Sequence, residues 1–144
     1  MRKTFVIFAV MLAVGAFGLG CAKKDTPTAT VMMFFDAARR GDPAGLAETL
    51  SFERLYAQMA GDAALNIPPE KKAAELAKFR QVMLDGILNG KKSSFRDADP
   101  KVKDERISGG MAEVVVEDRK DKGRVYSFGL VREEGRWKIF KVAI

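Results

Sequence analysis

Hydrophobic residues recur along this chain at two different periods, and the change from one to the other divides it. In the first part the period is helical. Val31, Phe34, Phe35 and Ala38 fall at i, i+3, i+4 and i+7, one buried stripe of a helix that Thr26-Pro27 starts and Gly41 stops. Asp42-Pro43 restarts a helix with Leu46, Ala47 and Leu50 inward, and Ser51 caps a further one carrying Phe52, Leu55, Tyr56 and Met59 at the same spacing. GDAALNIPP, residues 61–69, reads as a loop. Residues 70–89 then form a longer helix with Leu76, Phe79, Met83 and Ile87 as its stripe and Gly90 as its stop. The polar run KKSSFRDADP, 91–100, is the crossing out of the helical half.

Beyond residue 110 the period becomes two. MAEVVVED (111–118), RVYSFGLVR (124–132) and RWKIFKVAI (136–144) are strands, with Lys122-Gly123 and Glu134-Gly135 at the turns. KVKDERI (residues 101–107) is a weak strand and a charged edge. Tyr126, Phe128 and Leu130 share one face, as do Ala112, Val114 and Val116. Strict alternation in the last strand puts Phe140, Val142 and Ile144 on one side and Trp137, Ile139 and Lys141 on the other. Apolar groups on both sides predict a curved sheet covered on one face and partly covered on the other. The fold class is α+β: N-terminal helices packed on a curved antiparallel sheet of three to four strands.

Composition narrows the chemistry. The 144 residues suffice for one domain. There is no histidine, which removes the commonest general base and metal ligand and excludes Ser-His-Asp and Cys-His sites. The single cysteine excludes an intramolecular disulfide. The formal charge of +6 falls to +4 when counted from Cys21, a mild excess that does not point to nucleic acid. The methionines Met32, Met33, Met59, Met83 and Met111 are dispersed without soft or imidazole partners and read as core filler, so no metal and no cofactor is expected.

Arg2 and Lys3 precede an apolar run from Phe5 to Leu19, the length of a signal-peptide core and short for a transmembrane span. The run ends in Gly18-Leu19-Gly20-Cys21, which resembles the lipobox of bacterial lipoproteins, with Gly18 standing where that family usually has leucine. The resemblance implies cleavage after residue 20, acylation of Cys21, a tether over residues 21–25 and a single domain over 26–144. Two or three acyl chains anchor stably where one does not. Ala22 in place of aspartate implies, by the same resemblance, an outer-membrane lipoprotein facing the periplasm; the alternative is a soluble secreted or periplasmic protein. Lys23 and Lys24 would face anionic headgroups.

FFDAARRGDPAGLAETLS (34–51), followed by GGMAEVVV and GRVYSFGLVREEGRWKI, resembles the nuclear transport factor 2-like, cystatin-like superfamily, and within it small bacterial lipoproteins of unknown function. The resemblance implies helices closing a cone over the sheet, and a superfamily habit of dimerising through the open sheet face, here a possible role of the Trp137 and Ile139 side. Enzymes of that superfamily hold polar groups in the cone, but no isomerase pattern of tyrosine and carboxylates matches here residue by residue. The aromatic residues could line a pocket, with Phe35, Tyr56 and Phe79 as ligand-binding candidates, although an ordinary core explains them too. Asp36 and Glu48 read as solvated carboxylates, and Arg119, Lys120, Lys122 and Arg124 as a solvated hairpin tip. The expectation is a membrane-anchored envelope lipoprotein acting as a non-catalytic binding module. Its partners are the bilayer through the acylated N-terminus and an envelope protein or small apolar ligand. The alternative is an isomerase- or hydrolase-like enzyme using carboxylate and Tyr56 chemistry.

Overall fold

The structure is a computed structural model that describes residues 25–90 and 94–144. The expected signal peptide, Cys21, Lys23 and Lys24 lie outside the described residues. Five helices precede four strands: α1 (Pro27–Arg40), α2 (Pro43–Thr49), α3 (Phe52–Ala60), α4 (Asp62–Leu65), α5 (Pro69–Asn89), β1 (Pro100–Ser108), β2 (Met111–Asp118), β3 (Val125–Glu133) and β4 (Arg136–Ala143). The strands form one antiparallel sheet in sequence order, β1-β2-β3-β4. Helices packed on an open antiparallel sheet are the architecture the sequence predicts.

Local signals set the helix ends. Thr26 accepts the Ala29 N–H into its side chain and Pro27 opens α1, while Gly41 closes it at φ 65 and returns its N–H to the carbonyls of Ala37 and Ala38. A side chain at Gly41 would be strained in that left-handed turn. Glu105 of β1 accepts both the backbone N–H of Thr28 (2.9 Å) and its hydroxyl (2.6 Å), placing a carboxylate at the positive end of α1. Asp42 caps α2 through the Gly45 N–H. Between Gly61 and Pro69, expected as loop, Asp62–Leu65 makes one helical turn.

The core lies between α1 and the sheet. Val31, Phe34, Phe35 and Ala38 are buried against Val114, Val116, Tyr126, Phe128, Leu130 and Ile139. Phe34, Phe35, Phe95, Tyr126 and Phe128 meet mainly edge to face, with centroids 5.1 to 5.7 Å apart for the closest tilted and T-shaped pairs. Phe95 comes from the crossing segment, where composition alone showed only polarity. The Tyr126 hydroxyl donates to Ser94 Oγ at 2.9 Å, so the buried phenol is satisfied.

Two expectations about the sheet are corrected. The weak edge strand is a full nine-residue β1, paired along β2 with a bulge between Val102 and Asp104. In β4 the register shifts opposite Gly129. Gly129 pairs with Lys141 and Leu130 with Ile139, so Phe140 is the extra residue. The bulge brings Trp137, Ile139 and Val142 to the helix-covered side and turns Phe140 to the other. Trp137 and Ile139 are buried and thus do not form an open dimerisation face. Gly129 permits this, because a Cβ there would sit 3.4 Å from the Phe140 ring and 3.2 Å from Lys141 Cβ.

The outer edge of β4 is partly covered. Leu50 bridges to Ile139, and the Ser51 N–H donates to the Ile139 carbonyl at 2.8 Å. The Ser51 hydroxyl and Arg54 both donate to Glu133, at 2.7 and 3.1 Å. On α3 the predicted stripe is only partly sealed: Leu55 is buried, Phe52 and Tyr56 are half-buried, and Met59 is 70% exposed. α5 packs on α2 and α3 with Leu76, Phe79 and Met83 half-buried and only Ile87 buried.

Candidate functional site

The aromatic interior is filled, and the open space lies at its rim. A cavity of about 540 Å³ sits where the first turns of α1, the end of α2 and the β3–β4 hairpin meet. α1 contributes Ala29, Thr30 and Met33, which share a helical face, and α2 contributes Glu48 and Thr49. Asp25, just before the α1 cap, and residues 134–137 of the hairpin complete the wall.

A small polar network holds the wall together. Arg132 Nη2 donates to Asp25 Oδ2 at 3.5 Å and to the Gly135 carbonyl at 3.3 Å, and its guanidinium lies 5.7 Å from the Trp137 ring centroid. The Trp137 backbone N–H donates to Asp25 Oδ1 at 3.5 Å, and Thr30 donates to the Trp137 carbonyl at 3.5 Å. Lys138 Nζ donates to the Glu48 backbone carbonyl. The buried Thr49 hydroxyl donates to the Leu46 carbonyl at 2.8 Å.

The hairpin tip is strained where it meets the cavity. Glu134 (φ 50) and Gly135 (φ 77) form a two-residue loop between the paired Glu133 and Arg136. Positive φ at both positions matches the strand twist, but a non-glycine residue there carries a steric cost. Glycine or asparagine would be cheaper, and the chain places a glutamate.

Several groups on this wall have no partner. Among the described residues the side chains of Glu48, Glu134 and Arg136 make no hydrogen bond or ion pair. Trp137 is 5% exposed, and its indole N–H has no partner among the described residues. Trp137 also lines this cavity. The rim thus carries one exposed cation and two exposed carboxylates beside Ala29 and Met33.

The residues singled out from sequence lie elsewhere. Phe35 is sealed in the core. Tyr56 and Phe79 touch each other at 5.3 Å between α3 and α5. None of the three lines the cavity. Tyr56 is therefore not placed with the cavity carboxylates that an enzyme reading would pair it with. Glu48 is exposed, as expected, and lines the cavity, whereas Asp36 pairs with Arg39 on the surface at 3.3 Å. Met59 and Met111 are exposed rather than core filler, and Met33 lines the cavity. Among the described residues no three acidic or thiol side chains cluster to hold a metal ion. None of these helices is long and apolar enough to cross a membrane.

Within the basic run at the β2–β3 turn the two arginines are paired. Arg119 meets Asp99 at 2.7 Å and Arg124 meets Asp121 at 3.1 Å. At the centre of that turn Asp118 is buried and accepts the backbone N–H groups of Asp99 and Lys120, each at 3.0 Å. Burial pushes its pKa up, but those bonds, a further one from the Asp121 N–H and the nearby Arg124 outweigh burial and hold the carboxyl below its usual range. Sequence reasoning passed over Asp118, and it placed Trp137 on the open side of the sheet. Gly129 was the available signal for Trp137, since glycine inside a strand marks a bulge or a close approach.

Comparison with solved structures finds a likeness in fold. A Campylobacter jejuni protein, provisionally described as an NTF2-like transpeptidase, is similar in structure to this chain. The match covers 79% of this chain and 97% of that one, at 16% identity and a TM-score of 0.43. That likeness is too faint to bear on the chemistry of the site. No protein-family profile and no curated protein matches the sequence.

Proposed function

We propose that this chain is an envelope lipoprotein, acylated at Cys21, whose domain is a non-catalytic binding module. The observation that carries the second half is the filled interior. In a cone-shaped enzyme the substrate would occupy the space between α1 and the sheet. Here Phe34, Phe35, Tyr126 and Phe128 occupy it, each no more than 1% exposed. A small apolar ligand held in that interior loses its place for the same reason, so the working surface is the rim. The sequence Gly18-Leu19-Gly20-Cys21 after an apolar run supports the anchoring, and the outer membrane is the location its resemblance favours.

Intact-mass spectrometry of the protein from its native membranes tests the anchor. The expected mass is the chain from Cys21 plus a diacylglycerol and an acyl chain, and Cys21→Ser should leave the membrane fraction while keeping the native circular dichroism spectrum. A Cys21→Ser protein that fractionates wholly with membranes would refute the reading.

A further inference from the structure

We propose that the tip of the β1–β2 hairpin is a membrane-contact surface, with Ile107 and Met111 entering the headgroup–acyl boundary of the bilayer that holds Cys21. This rests on the anchor half of the reading above. Gly109-Gly110 joins the two strands as a two-residue turn, with Ser108 paired to Met111 and Ile107 to Ala112. Paired residues of an antiparallel ladder share a face, and successive residues alternate between faces. Ile107 therefore projects on the helix-covered side, with Ala112, and Met111 on the open side. They are 55% and 43% exposed. Isolated exposed apolar residues are ordinary. Here two of them flank one turn, and the run Ile107-Ser108-Gly109-Gly110-Met111 holds no charge in a chain that is 31% charged. The other two turns of the meander carry Arg119, Lys120, Asp121 and Lys122, and Glu134 and Arg136. The β1–β2 tip is thus an uncharged wedge, apolar on both faces.

The chain enters the domain beside this tip. The Arg132 backbone N–H donates to the Gly110 carbonyl at 2.8 Å, and the Arg132 side chain donates to Asp25 at 3.5 Å. One residue therefore joins the turn to Asp25, which follows Cys21 by four residues, a reach of about 14 Å at full extension. An acylated Cys21 on so short a tether leaves this end of the domain nearest the bilayer. Lys23 and Lys24 add attraction for anionic headgroups, while Glu134 and Arg136 at the neighbouring turn oppose each other in sign. A lipid surface matches what the tip offers. Apolar side chains at such a boundary sit about 5–10 Å deep. The strand pairing and the Gly110–Arg132 bond already hold the tip in shape, so insertion orders no new backbone. Acyl chains and tip together would fix one orientation of the domain on the membrane, where the acyl chains alone let it swing.

The chain has one cysteine, so once Cys21 is acylated an introduced cysteine takes a nitroxide label at one known position. The variants are Ile107→Cys, Met111→Cys and, as control, Val125→Cys. Val125 is 46% exposed and starts β3 at the opposite end of the sheet, about 20 Å along the strand from Val131, the partner of Met111. Each acylated chain is purified from membranes and reconstituted into vesicles of phosphatidylethanolamine and phosphatidylglycerol. Electron paramagnetic resonance then compares relaxation by oxygen, which concentrates in the bilayer, with relaxation by a neutral nickel chelate, which stays in water. The oxygen-to-nickel ratio should be severalfold higher at Ile107→Cys and at Met111→Cys than at Val125→Cys. A ratio at either tip position no higher than the control overturns the proposal. So does a tip shielded from both reagents, because protein and not lipid would then cover it. All three positions are exposed, and circular dichroism reports whether each labelled chain is folded. Intact mass of the same preparation reads the anchor separately. An unmodified Cys21 overturns both readings, whereas an acylated Cys21 with a tip in water overturns this one alone.

Discussion

Replacing Asp118 by alanine should destabilise the domain by about 2–4 kcal/mol at neutral pH, although the residue lies at a turn and touches no cavity. The carboxylate is 3% exposed and accepts backbone N–H groups from Asp99 and Lys120 at 3.0 Å, with the Asp121 N–H and Arg124 also favouring its charge. Each hydrogen bond to a charged group contributes about 1.5–3 kcal/mol, and donors left without an acceptor carry a further cost that water at the turn partly relieves. Asp118→Asn keeps one acceptor oxygen but loses the charge and sets an NH₂ group among donors. Its cost should be about 1–2 kcal/mol.

The pH dependence distinguishes the charge from the shape. The folded carboxyl titrates below its usual range. The folded state therefore holds fewer protons on this group than the unfolded chain between the two pKa values. Its stabilisation is fully present above the unfolded value of about 3.9 and is lost as pH falls through the folded one. Urea unfolding followed by circular dichroism at pH 7, 5 and 3 measures this. The gap between the parent chain and Asp118→Asn should be constant from pH 7 to 5 and shrink at pH 3. An Asn variant within about 0.5 kcal/mol of the parent at pH 7, or a gap that does not change with acid, would refute the account.

Glu134→Gly should stabilise the domain by about 1 kcal/mol by removing the strain of φ 50, raising the urea midpoint at constant slope. Gly129→Ala should destabilise by about 1–2 kcal/mol in the same assay, because the new methyl meets Lys141 Cβ at 3.2 Å and forces Phe140 off the strand. Phe95→Ala should cost about 2–4 kcal/mol, since it removes ring contacts to Phe34, Phe35 and Tyr126; thermal unfolding checks it.

The fold was legible where one local rule governed a segment. The α1 stripe was readable because capping, spacing and the Gly41 stop agree, and Tyr126, Phe128 and Leu130 lie in a strand with unbroken alternation. The reading failed where a register change intervened. Period two assigns Trp137 and Ile139 to the face opposite Val142, and one extra residue at Phe140 puts all three on the same side. The site was hidden for a related reason. Phe35, Tyr56 and Phe79 stand out by side-chain type, but burial is collective, and Phe35 is used up in the core. The cavity instead assembles Asp25, Thr49 and Arg136 from separate elements, none of which carries a local mark.

The two ends of the meander differ in how their turns are held. At the β2–β3 end Asp118 accepts backbone N–H groups, and Arg119 and Arg124 pair with Asp99 and Asp121. At the β3–β4 end the chain leaves Glu48, Glu134 and Arg136 unmatched and holds one of them in a strained turn. A sequence under selection for stability alone would place glycine at residue 134 and pair these charges, so the rim is where the local rules are broken together. The same end carries the start of the domain, because Asp25, four residues after Cys21, is part of the cavity wall. On the proposed anchoring, four extended residues span about 14 Å. The cavity would then open close to the bilayer, and its ligands would have to reach it through the layer of solvent next to the headgroups.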